Sequence, residues 1–192
     1  MNVTSDRKLR NDIVWYMIGT ALPMLTLFVR SPIYTRIYSP ELYGVYTIAY
    51  ITFTYLSTIS YQWITNNVWR YFLKYRNTNT LGLYWSVTFY LLFVSAILVA
   101  VICTVWFLLS DDPVLKQLIV LGGLYFFTNE FVNILLIPSR ISGKAGYYNI
   151  LNSVRAVCSF LLLLGLTFIG HAKIEAFFTA PLMINVVFII FL

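Results

Sequence analysis

Apolar residues fall into six long runs along the chain, separated by short polar breaks: 13–35, 42–64, 83–109, 116–138, 147–169 and 174–192. A helix that crosses the hydrocarbon core of a bilayer needs about 20 such residues, and each run approaches or exceeds that length. No segment alternates polar and apolar positions long enough to read as a barrel strand. The pattern predicts an all-α integral membrane protein with six transmembrane helices. Because the connections are short, sequential helices are expected to be antiparallel neighbours.

Local signals sharpen several boundaries. Ser39-Pro40-Glu41 supplies an N-cap hydroxyl, a proline at the first helical position and a carboxylate in the first turn, so a helix is expected to start there. The first run contains Pro23 and Pro32, each lacking a backbone donor, with Arg30 between them. Such helices border substrate cavities in transporters, but kinked structural helices are equally compatible with the pattern. The stretch Trp69-Arg70-Tyr71-Phe72-Leu73-Lys74-Tyr75-Arg76 interleaves rings and cations in the manner of an interfacial anchor, read as a loop with ordinary membrane contacts. The first run extends well past the ~7–15 residues of a signal-peptide core and lacks a small-x-small cleavage site, so it is read as a retained helix.

Basic residues set the orientation. With the amino terminus in the cytoplasm, Arg7, Lys8, Arg10, Arg70, Lys74, Arg76, Arg140 and Lys144 lie inside, against Arg36, Lys116 and Lys173 outside. The positive-inside rule favours this arrangement. Met183 to Leu192 is almost wholly apolar with no basic flank after it, so the chain is expected to be a fragment of a longer protein.

Composition agrees with the pattern. The chain is 60% hydrophobic and 10% charged, with a mean hydropathy of +0.79, whereas soluble domains carry about 25% charged residues. The net charge of +6 comes from cations flanking apolar runs, which argues against nucleic-acid binding. Cys103 and Cys158 sit within apolar runs without metal-like spacing and read as small buried hydrophobes. The single histidine, His171, has no sequence neighbours that would make it a catalytic or metal site. No cofactor and no metal is expected.

Against this background three charges stand out. Arg30, Glu130 and Arg155 lie inside apolar runs, where an ionisable group costs at least ~2.5–3.5 kcal/mol and usually faces a partner or a polar pathway. The fourth and fifth helices form a hairpin around 139–146. Counted outward from its midpoint between Ser142 and Gly143, Glu130 and Arg155 lie equally far, as do Asn133 and Asn152. The i, i+3 spacing within each helix puts both groups on one face. A Glu130–Arg155 ion pair with an Asn133–Asn152 rung beneath it is expected, roughly 4–5 Å to the cytoplasmic side of the midplane. It is either a structural staple or a pair lining a cavity, where Arg155 passes between Glu130 and an anionic substrate. Gly146, Asn149, Ser153, Ala156 and Ser159 give the fifth helix a small-residue face for close approach. Arg30 lies about 9 Å to the other side of the midplane, with no carboxylate at a matching depth in the second helix. It either snorkels outward or enters a polar cavity.

The stretch from Arg30 to Gly44 resembles the first-to-second-helix junction of bacterial polysaccharide and O-antigen flippases, carried by Thr35, Arg36, Ser39, Pro40, Glu41, Tyr43 and Gly44. Asn66 to Phe72 also resembles the basic-aromatic segment after the second helix of those proteins. They belong to the multidrug, oligosaccharidyl-lipid and polysaccharide exporter superfamily. The resemblance implies a two-lobe exporter of which residues 1–192 form the amino-terminal lobe, with the second lobe absent. It implies alternating-access export of an undecaprenyl-pyrophosphate-linked oligosaccharide across the bacterial inner membrane, with no enzymatic step. The implied partners are the lipid-linked oligosaccharide, membrane lipids, and polysaccharide polymerase and chain-length proteins. Arg30 and Arg155 would then face the phosphates, Glu130 would act as counter-ion or ion-coupling group, and Asn133 and Asn152 would give polar support. A multidrug exporter of the same superfamily and a non-transporting fragment or scaffold are the alternatives. A membrane glycosyltransferase is disfavoured, because the only acidic cluster is the Asp111-Asp112 turn.

Overall fold

The computed structural model describes residues 3–170 and 173–192, with side chains from position 17 onward except at 18, 20, 169 and 170. His171 and the side chains of Arg7, Lys8 and Arg10 therefore lie outside the described residues. The chain is all helical there, with six helices: α1 (Val3–Ile37), α2 (Pro40–Asn77), α3 (Leu81–Leu109), α4 (Pro113–Ile141), α5 (Ala145–Gly170) and α6 (Ala176–Phe191).

The starts and stops follow from side-chain chemistry. Leu42 N–H donates to the Ser39 hydroxyl at 3.4 Å with Pro40 beginning α2, as the sequence predicts. Asp112 performs the same role for α4, its carboxylate accepting from Val114 N–H at 2.9 Å. The turn between α4 and α5 closes through Gly143 at φ +80°, a conformation that side chains disfavour. Pro23 and Pro32 are both absorbed within a continuous α1. The basic-aromatic stretch is helical rather than a loop. No proline or glycine interrupts α2 after Ile64, so its 38 residues run on to Asn77. At ~1.5 Å per residue α2 measures about 57 Å, far more than the ~30 Å of a hydrocarbon core.

Three helices, α3, α4 and Ala145–Phe168 of α5, are long and apolar enough to cross a membrane. The chain therefore reads as a membrane protein. α6 is strongly apolar but has 16 residues, and α1 and α2 have the length but carry more hydroxyl, amide and charged groups.

The helix order in space departs from a simple up-and-down hairpin series. α4 is central and touches α2, α3, α5 and α6, while sequential pairs from α2 to α6 are neighbours. α1 barely meets α2 and packs instead along α5. A Cβ at Gly19 would collide with the Asn149 side chain, so α1 and α5 approach closely, and this contact draws on the small-residue face of α5. Asn149 and Ser153 of that face are buried. Cys103 and Cys158 are both free thiols and half-buried.

Two apolar clusters hold the bundle. One gathers Tyr34, Tyr46, Phe53, Phe126, Phe177 and Phe178 near the α1–α2 corner; the other gathers Tyr61, Ile64, Val68, Leu92, Ile134 and Ile137 toward the far end of α2. Phe53 is 1% exposed and wedged among Trp106, Phe126 and Phe178, with α4 closing over it at Gly122. A Cβ at Gly122 would overlap the Phe53 ring, whereas one at Gly123 would meet nothing nearer than Cys103 Sγ at 3.7 Å. Gly122→Ala is expected to destabilise the protein by ~1–3 kcal/mol through overpacking, and Gly123→Ala to leave it near normal. Thermal unfolding of the two variants in detergent checks the difference; equal midpoints would contradict the packing described.

Candidate functional site

Arg30 and Arg155 face a single cavity of about 270 Å³ bounded by α1, α2, α4, α5 and α6. α1 contributes Thr26 and Arg30, α2 Tyr46 and Tyr50, α4 Tyr125 and Asn129, α5 Asn152, Arg155 and Ser159, and α6 Phe177 and Asn185. The gap between α1 and α2 makes the cavity possible, because helices in contact along their length would have closed it.

Arg30 does not snorkel. Its Nη2 donates to the Tyr46 hydroxyl at 2.9 Å, and its guanidinium carbon lies 4.6 Å from the centre of the Phe177 ring. A cation held over aromatic faces gains ~0.5–2 kcal/mol, which offsets part of its burial. The Phe177 ring is itself fixed by Tyr34 and Tyr46, with centroids 4.6 and 4.4 Å away.

Arg155 is held by amides. Its Nη2 donates to Asn133 Oδ1 at 2.9 Å across the hairpin and to Asn152 Oδ1 at 3.0 Å one turn earlier on α5. The equal depth of Asn133 and Asn152 read from the sequence is thus realised, with the guanidinium joining the two amides. The expected Glu130–Arg155 ion pair does not form. Glu130 instead turns toward α2, where its carboxylate accepts from the Ser57 hydroxyl at 3.0 Å and more weakly from Asn129 Nδ2 at 3.4 Å. Asn133 also interacts with Glu130, and so stands between the carboxylate and the arginine. Glu130 points toward α2, and the amide one turn along α4 reaches Arg155 in its place.

The consequence is a cavity carrying two guanidiniums and no carboxylate on its described lining. Arg155 Nη1 is buried and has no hydrogen-bond partner among the described residues. A buried donor left unmatched costs ~1–3 kcal/mol or more, so it stands ready for an acceptor in the cavity. Among the described residues no group of three or more His, Cys, Asp and Glu is placed to hold a metal.

The remaining predicted residues lie elsewhere. Thr35 bonds back to Ser31 O at 3.1 Å, Arg36 and Glu41 are exposed, and a Cβ on Gly44 would meet nothing within 4 Å. Tyr43 touches the Phe177 cluster, with ring centroids 6.2 Å apart. This stretch forms the corner between α1 and α2 and does not line the cavity. Sequence reasoning missed Tyr46, Tyr50, Tyr125, Asn129 and Asn185. Asn185 was detectable: it is a lone amide in an apolar run, the same criterion that singled out Arg30. It is 2% exposed and its Nδ2 reaches Thr128 Oγ1 at 3.5 Å.

No known protein family, curated protein or solved structure matches the chain.

Because Asn133, not Glu130, holds Arg155, their replacements are expected to differ. Glu130→Gln keeps an acceptor for Ser57 and should shift the unfolding midpoint little. Asn133→Leu removes one of two oxygens from a buried cation and should destabilise by ~1–3 kcal/mol. Thermal melts of both variants in one detergent decide the point, and a larger loss for Glu130→Gln would restore the ion pair.

Proposed function

We propose that the chain is the amino-terminal lobe of a two-lobe exporter and moves a lipid-linked oligosaccharide diphosphate across the bacterial inner membrane by alternating access. In this reading the protein is multi-pass with its amino end cytoplasmic, all six helices lie in the membrane, and the cargo is of the undecaprenyl-pyrophosphate type. It acts as a transporter, not an enzyme.

The observation that carries the reading is the shared cavity of Arg30 and Arg155 with no carboxylate on its described lining. A guanidinium offers five donors in a planar fork and matches phosphate oxygens bidentately. Arg155 spends one nitrogen on Asn133 and Asn152 while Nη1 remains open. A diphosphate entering the cavity would complete that coordination and could draw Arg30 from Tyr46. The hydroxyls and amides of Tyr50, Tyr125, Asn129 and Asn185 line the same space and suit the sugar next to the phosphate. Glu130, bonded to Ser57 behind the cavity wall, is the ion-coupling candidate. The multidrug alternative is disfavoured, since two guanidiniums repel a cationic drug.

Complementation of a flippase-deficient strain by the complete reading frame tests this function. Arg30→Ala and Arg155→Ala are each expected to reduce export roughly 10–100-fold at near-normal membrane abundance, the loss of one charge-assisted contact. The lysine replacements should recover part of the activity, since they keep charge but lose the fork. Unchanged export in Arg155→Ala, or rescue of a drug-efflux defect instead, would overturn the proposal. For orientation, alkaline phosphatase fused after Asp112 should be active and fused after Lys144 inactive; the reverse pattern would invert the topology.

A further inference from the structure

A second cavity shares no lining residue with the arginine site. It is an apolar groove of about 550 Å³ between α3 and α4, floored by Tyr61 of α2. Small residues open it: Ala96 and Ala100 one turn apart on α3, and Gly123 opposite them on α4. Phe93 and Phe107 mark its two ends on α3, about 21 Å apart at ~1.5 Å per residue. Both walls belong to helices long and apolar enough to cross a membrane, so the groove lies at hydrocarbon depth.

One end is polar. Lys116 lies in the first turn of α4 next to the groove, its ammonium 5.3 Å from the centre of the Phe107 ring. Among the described residues this ammonium has neither a hydrogen-bond acceptor nor a carboxylate partner. It stands one turn from Ile119 and Val120, which line the groove. A cation at the mouth of a narrow apolar slot is complementary to a phosphate attached to a hydrocarbon chain. Width identifies the occupant. A helix of a second protein is about 10–12 Å across with side chains, and a groove-length piece would need several times this volume. An extended acyl chain is thin enough, and the slot is longer than the ~15 Å half-thickness of a ~30 Å core, so it takes the full reach of a chain across one leaflet.

We infer that this groove holds one acyl chain of a glycerophospholipid whose phosphate is bound by Lys116. The inference rests on the bilayer placement of α3 and α4 and is independent of the transport reading.

Photolabelling tests it on the full chain purified in detergent and reconstituted with phosphatidylglycerol or phosphatidylcholine bearing a mid-chain diazirine. Peptide mapping should place the adducts on the groove faces within 93–107 and 119–127, in preference to Leu98 and Leu108, which are exposed elsewhere on α3. Lys116→Gln should lower labelling about fivefold, as expected for one lysine near a lipid phosphate. Gly123→Leu should abolish groove labelling with Lys116 intact; Ala100→Leu, on the opposite wall, does the same if the first variant fails to fold. Even labelling around α3 would overturn the inference, as would indifference to both groove-filling and Lys116 variants. So would equal labelling by a diazirine fatty alcohol without phosphate, or cross-linked protein dimers with no lipid adduct.

Discussion

A buried guanidinium with no carboxylate paired to it among the described residues is the constraint around which this bundle is arranged. Arg155 sits on a helix apolar enough to span a bilayer, where a charge must be met by polar groups or by water. Asn133 and Asn152 meet it with two carbonyl oxygens, which solvate the cation but leave its charge intact. That choice fixes the α4–α5 register. It also leaves Glu130 free to bond Ser57, thereby tying α4 to α2. α4 thus becomes the common wall of both sides of the bundle, and α1, which meets α2 among the described residues mainly through Arg30 and the corner, settles on α5.

The balance of energies favours such an arrangement over an ion pair. A Glu–Arg pair in low dielectric repays its desolvation only with near-ideal geometry, and removing either partner strands the other. Separating the two charges by an asparagine gives each its own hydrogen bonds. The cavity remains electropositive on its described lining because Glu130 turns away from it to Ser57. Arg30 reaches the same state by another route, using a tyrosine hydroxyl and the face of Phe177. Two cations solvated in different ways, by amides and by rings, share one space.

Much of this was legible in the residues. The helix starts at Pro40 and Pro113 carry caps that act through local bonds, so the sequence predicts the first and accommodates the second. Hydropathy located all six helices, because period and length need no tertiary information. It failed at the carboxyl end of α2, where aromatic and basic residues that favour an interface also continue a helix. The packing of α1 on α5 was hidden, since it depends on Gly19 meeting Asn149, two residues 130 positions apart in the chain. At the site, the buried arginines and asparagines were visible as polar exceptions. Tyr46, Tyr50 and Tyr125 were not, because nothing separates them from the other members of a set of 15 tyrosines until the helices are placed.

Phe177 touches Tyr34, Tyr38, Tyr43 and Tyr46 as well as the Arg30 guanidinium. Groups that share one ring cannot vary independently, and their substitution energies will not add. Along a lineage this cluster would change as a block: a smaller residue at one place would survive only with a larger one beside it. Its members would leave a correlated trace in descendant sequences even where no single position is invariant.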